Sequence, residues 1–406
     1  MSAALTQKGP LRKAVPTSSH VFRVFRGHLC AGDVLKDTAV RLLDACKSGR
    51  KLPPVNPRLA FALTFALPTA LFAQAQLSLP LAQVSATPLP AGPLGQGAWK
   101  YDVIPGWAKV PSGVSLGPTH GGVAVDKAGN IYVSSDGPHG ILVFDASGKY
   151  LKGLAPELSG IHGFIIRNEG GKEFIYAAHV KGNQAVKFDL NGKVEWKLPV
   201  PMESGFYNQP ADPKQKPAAY RPTGVAVGPD NRIYVADGYG ASVIHVYGAN
   251  LKYQKTIGTK GEGDGQFKTC HGIALDTRYG APRLLVADRE NKRLVHLDMD
   301  GKWLGVHATD LRRPCAISIM GDVAAVAELQ GRVVIVDKQG KVVSTLGDNP
   351  DQKQWAQFKL EPEHWKDGIF IAPHGVSFDK DGNLFVQDWN FAGRFTKLKR
   401  GTVKKS

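Results

Sequence analysis

Residues Ala372–Asp388 read APHGVSFDKDGNLFVQD, and this phrase decides the fold. Val376 and Phe378 alternate before an Asp-Gly-Asn turn, and Leu384 and Val386 alternate after it. Two period-2 runs joined by a glycine-containing turn read as a β-hairpin. The phrase recurs as THGGVAVDKAGNIYVSSD (Thr119–Asp136), RPTGVAVGPDNRIYVAD (Arg221–Asp237) and CHGIALDTRYGAPRLLVAD (Cys270–Asp288). Looser copies begin at Ile161 and Pro314, making six.

The position just before the first alternation is held in turn by His120, His162, Thr223, His271, Cys315 and His374. Successive gaps are 42, 61, 48, 44 and 59 residues, and the long ones contain the insertions Pro201–Tyr220 and Gly347–Ala372. The remaining unit is the length of a four-stranded propeller blade. A third run such as ILVFD (Ile141–Asp145) follows in each copy, and D-x-x-G-K turns at Asp145–Lys149, Asp189–Lys193, Asp298–Lys302 and Asp337–Lys341 lead to a fourth. The reading is an all-β, six-bladed β-propeller over 98–400. The last blade ends after its third strand, GRFTKLK. The stretch Trp99–Trp107, WKYDVIPGW, is therefore expected to close the ring as the fourth strand of blade 6.

The 406 residues carry a formal net charge of +16, half of it within residues 1–75 (11 Lys/Arg, 3 Asp/Glu). The other half is diluted over the rest of the chain, with five cations in the C-terminal KLKRGTVKKS. No basic stripe with interleaved aromatics occurs, so nucleic acid is not expected as a partner. Residues 58–75, RLAFALTFALPTALFAQA, have the basic start, apolar run and small-x-small end of a secretory signal. A membrane partner is implied only if that signal is retained uncleaved. Residues 1–57 read as a basic extension and suggest a mis-assigned start, 76–97 as a linker and 401–406 as a basic tail. The expected location is periplasmic or extracellular, and the expected state a monomer. Cys270 and Cys315 start strands that splay apart, so buried free thiols are expected rather than a disulfide.

Slot residues begin the innermost strands, so their side chains ring one mouth of the central channel. His162, His271 and His374 stand on alternate blades of a six-fold ring. Three imidazoles placed that way converge on the axis as an open Zn²⁺ site would require. His120 lies on blade 1, outside the three-fold set. It is expected to bind substrate or orient a ligand, and replaces His162 if the blades are misplaced. The two insertions join an outer strand to the next inner one, which puts them on the same face. Phe206, Tyr207 and Tyr220 on one, and Trp355, His364 and Trp365 on the other, are expected to wall or cover the centre.

The phrase PTGVAV…IYVAD resembles NHL-repeat propellers. Within them, Tyr220–Phe395 resembles the peptidylamidoglycolate lyase family through VADGYGASVIHVY (Val235–Tyr247), QFKTCHGIALD (Gln266–Asp276), VADRENKRL (Val286–Leu294) and the Ala372–Asp388 phrase. The resemblance implies Zn²⁺ on His162, His271 and His374, Tyr239 acting at the reaction centre, and Arg289 holding the substrate carboxylate. It implies an enzyme that takes a small-molecule or peptide substrate, an N-acyl-α-hydroxyglycine, to amide and glyoxylate. Two features depart from the family. No arginine occurs between Gln76 and His120, where the family supplies another, so either another group such as His120 or Lys109 substitutes or the chemistry differs. Gly375 stands where an acid would help to bind Ca²⁺. The alternative reading is a non-catalytic propeller that binds a peptide, glycan or protein through the same mouth.

Overall fold

The computed structural model describes residues 90, 92–212 and 214–401. The extension 1–57, the signal-like segment 58–75, most of the 76–97 linker and residues 402–406 lie outside them.

Six antiparallel sheets follow one another along the chain. Blade 1 comprises Thr119–Val125, Ile131–Ser135, Ile141–Phe144 and Tyr150–Leu154, and blade 2 comprises Ile161–Glu169, Lys172–His179, Gln184–Asp189 and Val194–Leu198. Blade 3 runs from Gly224 to Ile257, blade 4 from Cys270 to Ala308 and blade 5 from Pro314 to Leu346, each with four strands in chain order. The first strands of successive blades touch one another, and that of blade 6 touches that of blade 1, which closes the ring.

Blade 6 is built from Pro373–Phe378, Leu384–Asp388 and Arg394–Arg400, and it takes its fourth strand from the other end of the chain. Trp99–Ile104 pairs antiparallel with Arg394–Arg400, placing Tyr101 opposite Arg400 and Ile104 opposite Lys397. This is the closure expected from the unfinished last blade. A fifth strand, Leu94–Gln96, turns back on it through Gly97 (φ 57°) and lies inside the stretch read as linker. Its edge is sealed by blade 5: Gln96 N donates to Ser344 Oγ at 2.9 Å, and Thr345 N to Gln96 Oε1 at 2.8 Å. Three residues carry too little alternation to announce a strand.

Apolar side chains collect between neighbouring sheets. Among the described residues six buried clusters lie one at each blade–blade interface, with Tyr101 of the closing strand fully buried in that between blades 5 and 6, and a seventh, smaller one joins Cys315, Leu329, Ile371 and Ala372. The axis carries no such core. It holds a cavity of about 220 Å³ lined by inner-strand residues such as Val125, Ile166, Val225, Ser318 and Ser377, with the slot histidines at its edge. Turns between third and fourth strands follow the D-x-x-G-K reading. In the first of them Gly148 has φ 88°, and Asp145 Oδ1 accepts from the backbone of Ser147 and Lys149.

Candidate functional site

Five of the six slot residues sit at register shifts; only blade 3, with Thr223, pairs without one. Cys270 pairs with Asp288 and Gly272 with Ala287, leaving His271 unopposed; Pro373 pairs with Asp388 and Gly375 with Gln387, leaving His374 unopposed. Blades 1, 2 and 5 shift register at the same place. A bulge re-aims the side chain of its extra residue. Here the imidazoles turn toward the axis. The glycine after each histidine has a reason of its own: a Cβ on Gly163 would overlap Thr223 O, and one on Gly272 would overlap Cys315 O. Only glycine lets the inner strands come that close.

That approach orients the rings. His162 Nδ1 lies 2.7 Å from Thr223 O, His271 Nδ1 2.9 Å from Cys315 O and His374 Nδ1 3.3 Å from Gly121 O. Each acceptor is a carbonyl at or beside the slot of the following blade. A carbonyl can only accept, so each Nδ1 carries the proton and each Nε2 presents its lone pair. Ring centroids of the three are 4.6–4.8 Å apart. Burial pushes all three pKa values well below the usual histidine range, and for each a neighbouring histidine pushes the same way. Neutral imidazoles with a tied outer nitrogen are the form that binds a metal ion. The cluster is wider than the three-fold set. Ligand atoms of His120, His162 and His374 lie within 4.8 Å of one another, as do those of His271, Cys315 and His374. These buried groups could hold a metal ion.

A second layer covers the histidines. Each second strand of blades 3 to 6 ends in a fully buried acid: Asp237, Asp288, Glu328 and Asp388. Each acid accepts from backbone N–H groups of the loop leading into its own first strand, as Asp237 does from Arg221 N at 2.6 Å and Asp388 from Ala372 N at 2.7 Å. The residues just past these acids then lean over the mouth: Tyr239, Arg289 and Trp389. Tyr239 Oη lies 3.3, 3.0, 3.4 and 3.5 Å from Nε2 of His162, His271, His374 and His120. Arg289 Nη1 donates to the same oxygen at 3.3 Å, while its Nε donates to Glu290 Oε1 at 2.9 Å. Burial pushes the phenol up to about 12, and the Arg289 guanidinium pulls against it. His120 Nδ1 faces Asp136 Oδ2 at 3.4 Å, and its ring lies against Trp389 at 5.0 Å.

Other expected residues fall elsewhere. Tyr207 is buried, its hydroxyl 2.7 Å from Asp237 Oδ2 and 2.6 Å from His245 Nε2, so it anchors the first insertion to blade 3. Trp355 packs under Arg312; Trp365 packs under Arg394 and also, with Trp389, against the cluster that holds Cys315, so it borders the mouth. The second insertion reaches the mouth through Phe358, stacked on Trp389 at 4.1 Å. Nothing in the alternation marks Trp389, which stands one place beyond a structural acid. The repeat register does mark it, because Arg289 has the same offset from Asp288. Cys270 and Cys315 are buried free thiols. A Cβ on Gly375 would lie 2.7 Å from Gly121 O, so a side chain there needs the neighbouring strand to shift, and the position offers no carboxylate to a calcium ion.

The family model of the NHL repeat matches residues 220–247, which span the lead-in and the first three strands of blade 3. The chain is a six-bladed propeller carrying that repeat. A peptidylglycine alpha-amidating monooxygenase of Rattus norvegicus is 31% identical over 204 residues, which cover 46% of this chain and 19% of that protein. The chain thus matches about a fifth of that relative's length. Among solved structures, a streptogramin B lyase superposes with a TM-score of 0.48 at 16% identity, covering 75% of this chain and all of the other. A gluconolactonase from Xanthomonas campestris gives 0.48 at 13% identity, covering 77% and 99%.

Proposed function

We propose that this chain is an exported, zinc-dependent lyase that cleaves N-acyl-α-hydroxyglycine-type substrates to an amide and glyoxylate. The observation that carries the reading is one phenol oxygen set among four imidazole Nε2 atoms and beneath an arginine. Such a site suits removal of a hydroxyl proton beside a carboxylate. The stretch 31% identical to a peptidylglycine-amidating enzyme supports the same chemistry.

His162, His271 and His374 would hold zinc, with His120 and Cys315 close enough to take part. Zinc bound there would lower the pKa of a hydroxyl group beside it and of the neighbouring phenol. The chain's residues do the rest. Arg289 grips the substrate carboxylate, which orients the carbinol carbon toward Tyr239. The Tyr239 oxygen takes the substrate hydroxyl proton. The C–O bond becomes a carbonyl as the C–N bond breaks, and the departing nitrogen recovers a proton from Tyr239. R-CO-NH-CH(OH)-COO⁻ thereby gives R-CO-NH₂ and OHC-COO⁻, with nothing consumed. Burial keeps the phenol protonated in the absence of a cation, so activity should require metal.

The test is glyoxylate release from an N-acyl-α-hydroxyglycine at neutral pH, with a chelator-treated control. Tyr239→Phe keeps the ring and removes the oxygen, so the rate should drop by roughly 10²–10⁴ while zinc content stays. No release by zinc-loaded wild type would sink the lyase reading. A folded, metal-free protein would then favour a binding propeller. Export is tested separately, by whether the N-terminus of the secreted protein lies near Gln76.

A further inference from the structure

We infer that the mouth is an amphipathic slot. Arg221 anchors a carboxylate at one end, and Trp389, Phe358 and Phe391 seat an apolar acyl chain at the other. The inference deepens the lyase reading and rests on it for the identity of the central group.

Arg221 starts the blade-3 phrase and is exposed at the mouth. Arg289, Arg293, Arg312, Arg313, Arg332 and Arg394 of the later blades each have a carboxylate within 4 Å. Arg221 forms no such pair among the described residues. Its guanidinium instead stands 5.9 Å from the Tyr239 ring centroid, where Arg289 stands at 5.2 Å. Its backbone is pinned by Asp237, and Tyr239 N donates to Arg221 O at 3.3 Å. Two guanidinium groups therefore flank one phenol, and one of them has no internal partner. An anion arriving at Tyr239 meets both.

The opposite end is aromatic. Tyr239, His120, Trp389, Phe358 and Phe391 follow one another at centroid separations of 6.3, 5.0, 4.1 and 5.2 Å. The row begins beside the two arginines, passes the histidines and ends at Phe391, which is 51% exposed. It is braced rather than loose: Trp389 N donates to Ala372 O at 2.8 Å and Phe391 N to Phe358 O at 2.9 Å. A half-exposed phenylalanine continuous with a stacked pair offers apolar area that a ligand can cover. The order of features is guanidinium, convergent imidazoles, aromatic shelf. The order of groups in an N-acyl-α-hydroxyglycine is carboxylate, carbinol, acyl chain. The two match, and they select an apolar acyl group over a polar peptide.

The test uses unreactive analogues that lack the hydroxyl, so it does not depend on turnover. Titration calorimetry compares N-acetylglycine, N-octanoylglycine and the neutral amide of the latter. Octanoyl should bind about 30-fold more tightly than acetyl, well under the limit for six fully buried methylenes because the shelf covers one side. Phe391→Ser, an exposed position, should cut that ratio below about 5. Arg221→Gln should reduce the preference for acid over neutral amide by roughly tenfold. A wild-type chain-length ratio under about 3, or one unchanged by Phe391→Ser, overturns the shelf. An acid preference unchanged by Arg221→Gln overturns the anchor. Chain-length preference without glyoxylate release removes the lyase and leaves the slot standing. Release without that preference does the reverse.

Discussion

His245 is fully buried in blade 3, with Nε2 2.6 Å from Tyr207 Oη and Nδ1 2.9 Å from Thr256 Oγ1. Tyr207 also donates to Asp237, so Nε2 carries the proton and Nδ1 accepts from Thr256. Burial holds its pKa at about 4. The unfolded chain takes up this proton near pH 6.5 and the folded chain only near 4, so stability is complete above 6.5 and is lost as pH falls between them. Between pH 7 and 4.5 wild type should lose about 2–3 kcal/mol more than His245→Gln, read by urea denaturation. Equal losses would mean that water reaches this imidazole. The site histidines are displaced in the same direction by the same cause, but the ring's geometry turns their bare nitrogens inward. His271→Ala removes one of these ligands and should abolish stoichiometric zinc by elemental analysis. Full retention would reassign the ligands to His120, His162 and His374.

At the scale of elements, the closing strand matters most. Trp99–Ile104 was legible because blade 6 lacks a fourth strand and an open edge must be paired. Leu94–Gln96 was not, since its place depends on Ser344 and Thr345 of another blade. Deleting residues 76–107 strips Arg394–Arg400 of its partner and removes fully buried Tyr101. Loss of one buried aromatic alone costs about 3–5 kcal/mol. The thermal midpoint by circular dichroism should fall by more than about 10 °C. An unchanged midpoint would show that the ring closes otherwise.

The whole molecule places its large apolar cores between blades and leaves at the axis a cavity lined by apolar residues and histidines together. Folding and metal binding are thereby separable. Chelation should abolish glyoxylate release yet leave the circular dichroism spectrum unchanged, because the histidines that would hold the metal belong to none of the buried apolar clusters. Collapse of the spectrum on chelation would mean that the metal holds the ring together.

Blade number, register and the six slots were legible in the chain, because period-2 alternation and glycine turns are local consequences of strand geometry. His162, His271 and His374 could be named from their spacing alone, since alternate blades of a closed ring must face one axis. The direction of each imidazole could not. It depends on a bulge and on the carbonyl of the next blade, 61, 44 or 253 residues away in the chain. Trp355, Trp365 and Tyr207 looked like walls because insertions rich in aromatics border the mouth. The buried bond to Asp237 ties Tyr207 into blade 3 and Trp355 lies under Arg312, while Trp365 packs with Trp389 against the cluster that holds Cys315. Trp389, Phe358 and Arg221 reach the mouth as well. Which aromatic ring meets solvent and which meets a guanidinium is settled between chain segments distant in sequence, and only the closed ring brings those segments together.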